Sequence, residues 1–142
     1  MSQLDGELME FTLIQPKYLR HEWQQAKRSF AVVREMYPTN WIDEDVYYSL
    51  KTGFSAMHFA HEEGKFLGLL VTNIQEDEFS GEKTLHVWIA HNRGEQDVIE
   101  SGLDMLRMMA TAAGAKSITF GSPRKGWIKK HKLLMATYEI EL

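Results

Sequence analysis

The sequence predicts a single α/β (α+β) domain over residues 1–142, with a mixed central sheet and helices on both faces. Segments of alternating apolar residues, typical of strands, are interleaved with segments whose apolar residues recur every three or four positions, typical of helices. The predicted order is β-α-α-β-β-β-α-β-α-β. A central hairpin requires antiparallel strands and a later strand-helix-strand unit requires a parallel pair, so the sheet must be mixed.

The first half of the chain begins with one strand and a long helix. Residues 9–14 start with alternating apolar and polar side chains and predict the strand. The helix runs from Pro16, which suits a first helical turn, to Pro38, because the residue before a proline avoids α geometry. Its apolar face consists of Leu19, Trp23, Ala26, Phe30, Val33 and Tyr37.

A shorter helix is predicted between Asp43 and Gly53. Asp43 is a favourable N-cap, and Gly53 ends the helix as a C′ glycine. Ile42 and Tyr47 have the spacing of a hydrophobic staple around that N-cap.

Three strands are predicted next. Residues 54–61 and 66–74 form a hairpin around a turn at residues 62–65. A longer polar turn at residues 75–83 leads to the third strand, residues 84–91. Bulky side chains on both of its faces predict a central strand that is covered on both sides. The two predicted faces are Leu85, Val87 and Ile89 on one side, and His86, Trp88 and Ala90 on the other.

The C-terminal part predicts two helices that alternate with two strands. The first helix, residues 97–113, ends at Gly114 as its C-cap, and a short strand follows at residues 117–120. A basic helix at residues 124–132 and a strand at residues 136–142 complete the predicted order.

Composition narrows the class of protein. The absence of cysteine excludes disulfides, thiolate metal ligands and a cysteine nucleophile, and it fits a reducing compartment. No signal-peptide pattern and no apolar run near the roughly 20 residues that span a bilayer are found, so we expect a cytoplasmic protein without membrane contact. The net charge of −4 provides no overall attraction to nucleic acid.

Residues 85–120 contain the most specific pattern. A hydrophobic strand is followed by the loop Asn92-Arg93-Gly94-Glu95-Gln96-Asp97, an amphipathic helix and another strand. This arrangement, like the order of elements along nearly the whole chain, resembles the GNAT N-acetyltransferase superfamily. There, a Gln/Arg-x-x-Gly-x-Gly/Ala loop holds the pyrophosphate of acetyl-CoA. The resemblance implies that any cofactor contacts would come from Ile89, Ala90, Arg93, Gly94, Gln96 and Val98.

The loop departs from that motif. If Arg93 opens it, Gln96 and Val98 stand where small residues belong, and side chains there hinder the close approach of a phosphate. Three carboxylates lie at the start of the helix, namely Glu95, Asp97 and Glu100. They neutralise the positive helix end that a bound anion needs.

A second GNAT landmark, a tyrosine general acid on the last helix, is absent from residues 124–131. Trp127 is the nearest aromatic residue, and its indole N–H has no useful pKa for proton donation. Tyr138 falls in the following strand, where we expect a core or sheet-face position. These departures predict a non-catalytic protein with a degenerate cofactor site, which binds no cofactor and acts through contacts with other protein subunits in an oligomer.

Short motifs are also similar to small GNAT-like proteins encoded in tailed-phage structural gene clusters. They are the strand at residues 85–89, the Arg124-x-Gly126-Trp127 turn and the C-terminal strand. This resemblance implies a virion structural component made in the host cytoplasm. The alternative is an active acetyl-CoA-dependent N-acetyltransferase, acting on a small-molecule or protein amine. A carboxylate of a turn or a water molecule would then take the proton.

The remaining candidates are a basic patch, two acidic turns and the histidines. The patch consists of Arg124, Lys125, Trp127, Lys129, Lys130 and Lys132. A solvated face or a protein contact is favoured there over nucleic acid, because aromatic interleaving is limited to Trp127. The acidic runs at residues 62–63 and 76–78 are interpreted as solvated turns. The histidine spacing provides no convergent set of ligands, so no metal is predicted.

Overall fold

The computed structural model describes residues 9–121, and the predicted order of elements is confirmed over that range. The elements are β1 Glu10–Leu13, α1 Leu19–Met36, α2 Asp43–Lys51, β2 Ser55–Glu62, β3 Lys65–Glu76, β4 Lys83–Asn92, α3 Val98–Ser101, α4 Leu103–Ala113 and β5 Ala115–Phe120. A short 3-10 turn at Pro16–Tyr18 precedes α1. The predicted helix at residues 124–132, the strand at residues 136–142 and the basic patch lie outside the described residues. The single-domain assignment to residues 1–142 stays a prediction.

The five described strands form one sheet in the order β1-β2-β3-β4-β5. The first three pairings are antiparallel, and β4 pairs with β5 in parallel. The predicted mixed sheet is therefore confirmed. The parallel pair arises because α3 and α4 return the chain to the end of the sheet at which β4 begins, so β5 runs in the same direction as β4.

Helices cover both faces of the sheet, and each face has its own apolar core. Helices α1 and α2 pack over one face in a first core, whose buried members include Phe30, Val46, Phe59 and Leu69. Helices α3 and α4 cover the other face in a second core around Leu106. Burial on both sides explains why β3 and β4 contain long runs of apolar residues.

The α2 helix begins differently from the prediction. Asp43 is the first helical residue, and the N-cap is Ile42, whose amide donates to the Asp45 carboxylate at 3.0 Å. The Asp43 carboxylate instead accepts from Arg34 Nη1 at 2.6 Å. Ile42 is the N-cap itself and is 58% exposed, so it does not have the N′ position that the predicted staple with Tyr47 requires. The predicted Gly53 terminus is confirmed, since Gly53 has φ 85°.

The predicted helix at residues 97–113 is divided by Gly102 into α3 and α4. A Cβ on Gly102 would lie 3.0 Å from Phe11 Cζ and 3.0 Å from the Val98 carbonyl oxygen. Phe11 belongs to β1, so glycine at this position lets the first strand pack against the helix junction. This contact between distant parts of the chain was invisible in the helical periodicity.

A β-bulge changes the predicted faces of β4. Val71 of β3 pairs with Ile89, whereas Thr72 pairs with Val87, so Trp88 is an extra residue without a β3 partner. Val87 consequently faces the second core, while Ile89 and Trp88 face the first. The prediction that Val87 and Ile89 share a face is wrong, because strict alternation assumes a strand without a bulge.

Candidate active site

A cleft lies beside the sheet where β4 extends beyond the end of its parallel neighbour β5. The described pairing of β5 with β4 ends at Phe120 opposite Val87, but β4 continues to Asn92. A cavity of about 410 Å³ lies there. The β4 residues from Val87 to Asn92 line it, together with Phe120 and Gly121 of the β5 end. The cleft is therefore bounded by the segment that contains the bulge.

The opposite wall comes from the end of α1 and the connection to α2. Tyr37, Pro38 and Trp41 line the cavity on this side. Trp41 packs edge-on against Trp88 at 6.3 Å between ring centroids and is stacked by the Arg34 guanidinium at 5.4 Å. The Arg34–Asp43 ion pair thus holds the aromatic wall between the two helices in place.

An imidazole lines the cleft. His91, near the end of β4, is buried, and its Nδ1 lies 2.8 Å from the hydroxyl of the buried Ser29 on α1. Burial, and to a smaller degree the charge of Arg93, lowers the pKa of His91 from its ordinary value. The ring is consequently neutral at pH 7.

The backbone of β3 approaches closely behind His91. A Cβ built on Gly68 would lie 2.0 Å from the His91 carbonyl oxygen, a distance that no side chain tolerates. Glycine is therefore required at Gly68 for the present position of the His91 backbone.

The loop from Arg93 to Asp97 connects β4 to α3. Side-chain oxygens of nearby residues accept hydrogen bonds from the first backbone amides of α3. The Asp97 carboxylate accepts from the amides of Ile99 at 2.8 Å and Glu100 at 3.2 Å. The Asn92 side-chain oxygen accepts from the Val98 amide at 2.9 Å. Asp97 also lines the cavity. Asp97 is therefore the N-cap of α3.

The six residues predicted to contact a cofactor lie in different environments. Ile89 and Ala90 line the cavity. Arg93 and Gly94 are exposed in the loop, and Gln96 is half-buried with a side-chain oxygen that has no hydrogen-bond partner. Val98 is fully buried in the second core. Their role in binding a cofactor stays a prediction.

Sequence reasoning missed the Ser29–His91 pair and the aromatic wall. Ser29 and His91 are 62 residues apart, and His91 was considered only as a metal ligand. The available signal was a buried-strand histidine at the end of an apolar run, which requires a polar partner. Tyr37 was assigned to the apolar face of the long helix, and it lines the cavity together with Trp41.

The acidic turns do not line the cavity. Asp77 accepts from the amides of Ser80 and Phe79, and these bonds lower the pKa of its carboxyl. Among residues 9–121, no group of three or more His, Cys, Asp or Glu side chains could hold a metal ion. Nor does that part of the chain include a helix with the length and apolarity needed to cross a bilayer.

The fold is similar to that of several solved acetyltransferases, which supports a GNAT-like fold. An aminoglycoside acetyltransferase from an uncultured soil metagenomic sample, in complex with sisomicin, superposes with a TM-score of 0.70 at 13% identity, covering 96% of this chain and 98% of that one. A ribosomal-protein-alanine N-acetyltransferase from Brucella melitensis gives 0.67 at 14% identity, covering 94% and 99%. A predicted acetyltransferase from Clostridium acetobutylicum with acetyl-CoA gives 0.65 at 14% identity, covering 95% and 96%. No protein-family model and no curated protein matches the sequence.

These comparisons contradict the predicted non-catalytic virion role. The similar structures are acetyltransferases, and they favour the alternative interpretation. The prediction that no cofactor binds is not supported either, since one neighbour contains acetyl-CoA and another contains CoA. The narrower resemblance to phage-encoded proteins is not shown. Oligomeric assembly through protein contacts stays a prediction.

Proposed function

We propose that the protein is an N-acetyltransferase that transfers an acetyl group from the thioester of acetyl-CoA to an amine. The observation that carries this proposal is the cleft beside β4, where β5 ends opposite Val87 and the strand continues to Asn92. The acetyltransferase neighbours support it at the level of the fold.

The cleft fits the pantetheine arm of such a donor. Beyond Val87, no described strand pairs with β4 on its β5 side, and Trp88 has no partner in β3. An arm with amide groups can pair with an open strand edge as an added strand does. Residues 88–91 would hold the arm, and bound acetyl-CoA would supply the activated acetyl group.

The first amides of α3 are not free for the diphosphate of the donor. The amides of Val98, Ile99 and Glu100 already have acceptors from Asn92 and Asp97. We therefore assign no part of donor binding to these three amides.

The base that we propose is His91. An amine that is protonated at neutral pH must lose a proton before it attacks a carbonyl. His91 is neutral at pH 7 because burial lowers its pKa. In the tautomer whose Nδ1–H donates to the Ser29 hydroxyl, Nε2 accepts the proton of the amine.

The test is thiol release from acetyl-CoA by the purified full chain. The acceptors are an aminoglycoside and a peptide with an N-terminal alanine, chosen from the two substrate classes of the neighbouring enzymes. We expect amine-dependent thiol release, which His91→Gln lowers by about 100-fold. His21→Gln is the matched control, because His21 is exposed on α1. Absence of both thiol release and acetyl-CoA binding would overturn the proposal.

A further inference from the structure

The tip of the β3–β4 hairpin, residues 76–81, presents a phenylalanine to solvent. Phe79 is 92% exposed. The turn beneath it is fixed by Asp77, whose carboxylate accepts from the amides of Phe79 and Ser80, both at 2.9 Å. The Asp77 backbone also accepts from the Gly81 amide at 2.8 Å and donates to the Glu82 carbonyl oxygen at 2.9 Å. The ring is therefore carried by an ordered backbone, so a contact made through it loses little conformational entropy.

The hairpin tip is negatively charged. Residues 76–81 include three carboxylates and no basic residue. Glu78, directly before Phe79, is exposed. On the returning strand Glu82 is paired with Lys116 at 2.5 Å, so that carboxylate is offset within the chain. The tip thus combines an apolar ring with carboxylates on one side of it.

A groove between α1 and α2 has aromatic walls. It encloses about 300 Å³ and is lined by Trp23 of α1 and by Tyr47 and Tyr48 of α2. Trp23 and Tyr47 pack edge to face, with 4.8 Å between their ring centroids, and Tyr48 is 72% exposed. An apolar cavity of roughly 150 Å³ already accepts a benzene ring. The groove is therefore large enough for a phenylalanine side chain.

The same groove carries positive charge. Lys27 and Lys51 line it from the two helices, and both are exposed. Asp43 and Glu44 line it as well, but Asp43 is paired with Arg34 at 2.6 Å. With that ion pair counted as neutral, two lysines and one carboxylate give the groove a net charge of +1. An aromatic groove of this sign is complementary to an apolar ring beside carboxylates.

We propose that the hairpin tip of one copy of the chain binds the α1–α2 groove of a second copy, with Phe79 between the aromatic walls and Glu78 beside the lysines. The tip does not occupy the groove of its own chain, because Phe79 is exposed. Tip and groove are different surfaces, so each copy offers one of each to its neighbours. Neither surface belongs to the cleft beside β4, and the inference is independent of the proposed acetyltransferase activity.

The first experiment measures the molar mass of the full chain by light scattering over a range of concentrations. A contact this small predicts reversible self-association with a dissociation constant between about 1 µM and 1 mM. Phe79→Ser is expected to weaken it about tenfold or more, because the ring is the central anchor. Met108→Ser is the control, since Met108 is 72% exposed on α4 outside both surfaces. A chain that stays monomeric up to about 1 mM, or equal effects of the two variants, would overturn the inference.

The second experiment pairs two defective variants. Phe79→Ser has a defective tip and an intact groove, whereas the double variant Lys27→Glu, Lys51→Glu has an intact tip and a groove of reversed charge. The substituted residues are exposed, and chemical denaturation of each variant verifies its fold. We expect each variant alone to be monomeric and the mixture to form a one-to-one complex, because one intact tip meets one intact groove. A mixture that stays monomeric at concentrations where the unmodified chain associates would contradict the pairing of these two surfaces.

Discussion

The Nδ1 atom of His91 on β4 lies 2.8 Å from the hydroxyl oxygen of Ser29 on α1, and both side chains are buried. This contact joins the end of the central strand to the helix that covers it. It also fixes the imidazole beside the cleft, so the packing of α1 determines which ring nitrogen is available there.

Removal of the Ser29 hydroxyl is expected to lower kcat about tenfold with little change in KM, because Ser29 acts through the orientation of His91. The pH profile of kcat should also change, since the hydroxyl holds the orientation of the ring through its contact with Nδ1. Ser49→Ala is the control: it removes another buried serine hydroxyl, which bonds to Ser55 at 2.7 Å in a different part of the first core. Equal effects of the two variants on kcat would mean that Ser29 has only a structural role.

Stability is expected to fall as the pH drops below the ordinary histidine pKa of 6.5. Burial lowers the pKa values of His58, His86 and His91 in the folded protein. In this pH range the unfolded chain therefore binds more protons, and the free energy of unfolding rises with pH. Urea titrations from pH 5.5 to 7.5 measure the slope.

The histidine variants test the origin of that slope. His58→Gln should reduce it, because the buried His58 has an Nδ1 atom without a hydrogen-bond partner. His21→Gln, a change at an exposed position of α1, is the comparison variant. A slope that His58→Gln leaves intact would assign the effect to other groups.

Gly68→Ala is expected to destabilise the protein by about 2–3 kcal/mol, because the new Cβ would overlap the His91 carbonyl and displace the backbone of β4. Gly94→Ala is the matched control for stability, since its Cβ would meet only Leu67 Cδ2 at 3.8 Å. Chemical denaturation of both variants measures the difference. Similar stabilities would contradict the close approach of β3 and β4.

The cap at Asp97 is expected to contribute about 1 kcal/mol to stability. Asp97→Ala removes the acceptor of the Ile99 and Glu100 amides, whereas Asp97→Asn retains an oxygen in that place. Thermal unfolding should therefore show a lower Tm for the alanine variant than for the asparagine variant. Equal Tm values would indicate that water replaces the carboxylate at no cost.

Most of the fold within residues 9–121 could be predicted from the sequence, because periodicity and helix-end residues are local signals. The α1 helix ends at Met36, before Pro38, and Gly114 closes α4 with φ 76°. The division at Gly102 was missed, although a glycine inside a helical pattern is a local signal of a weak point. Its close contact with Phe11, about ninety residues earlier, depends on tertiary packing.

The candidate site was less predictable. The loop after β4 was identified, together with the acidic character of the helix start. The pairing of His91 with Ser29 and the contact of Trp41 with Trp88 depend on tertiary packing, for which single-sequence patterns have no signal. The negative functional prediction failed for a related reason, since a missing motif says little about other residues that line the same cleft.

The bulge at Trp88 has a consequence for how the length of β4 can vary. On either side of it the strand alternates regularly, so the loss of one residue from a regular stretch would send the side chains beyond it to the opposite face. Loss of Trp88 itself would leave Val87 and Ile89 opposite their present β3 partners and on their present faces. The strand therefore contains one position at which a deletion is compatible with the rest of the sheet, and it lies within the wall of the cleft.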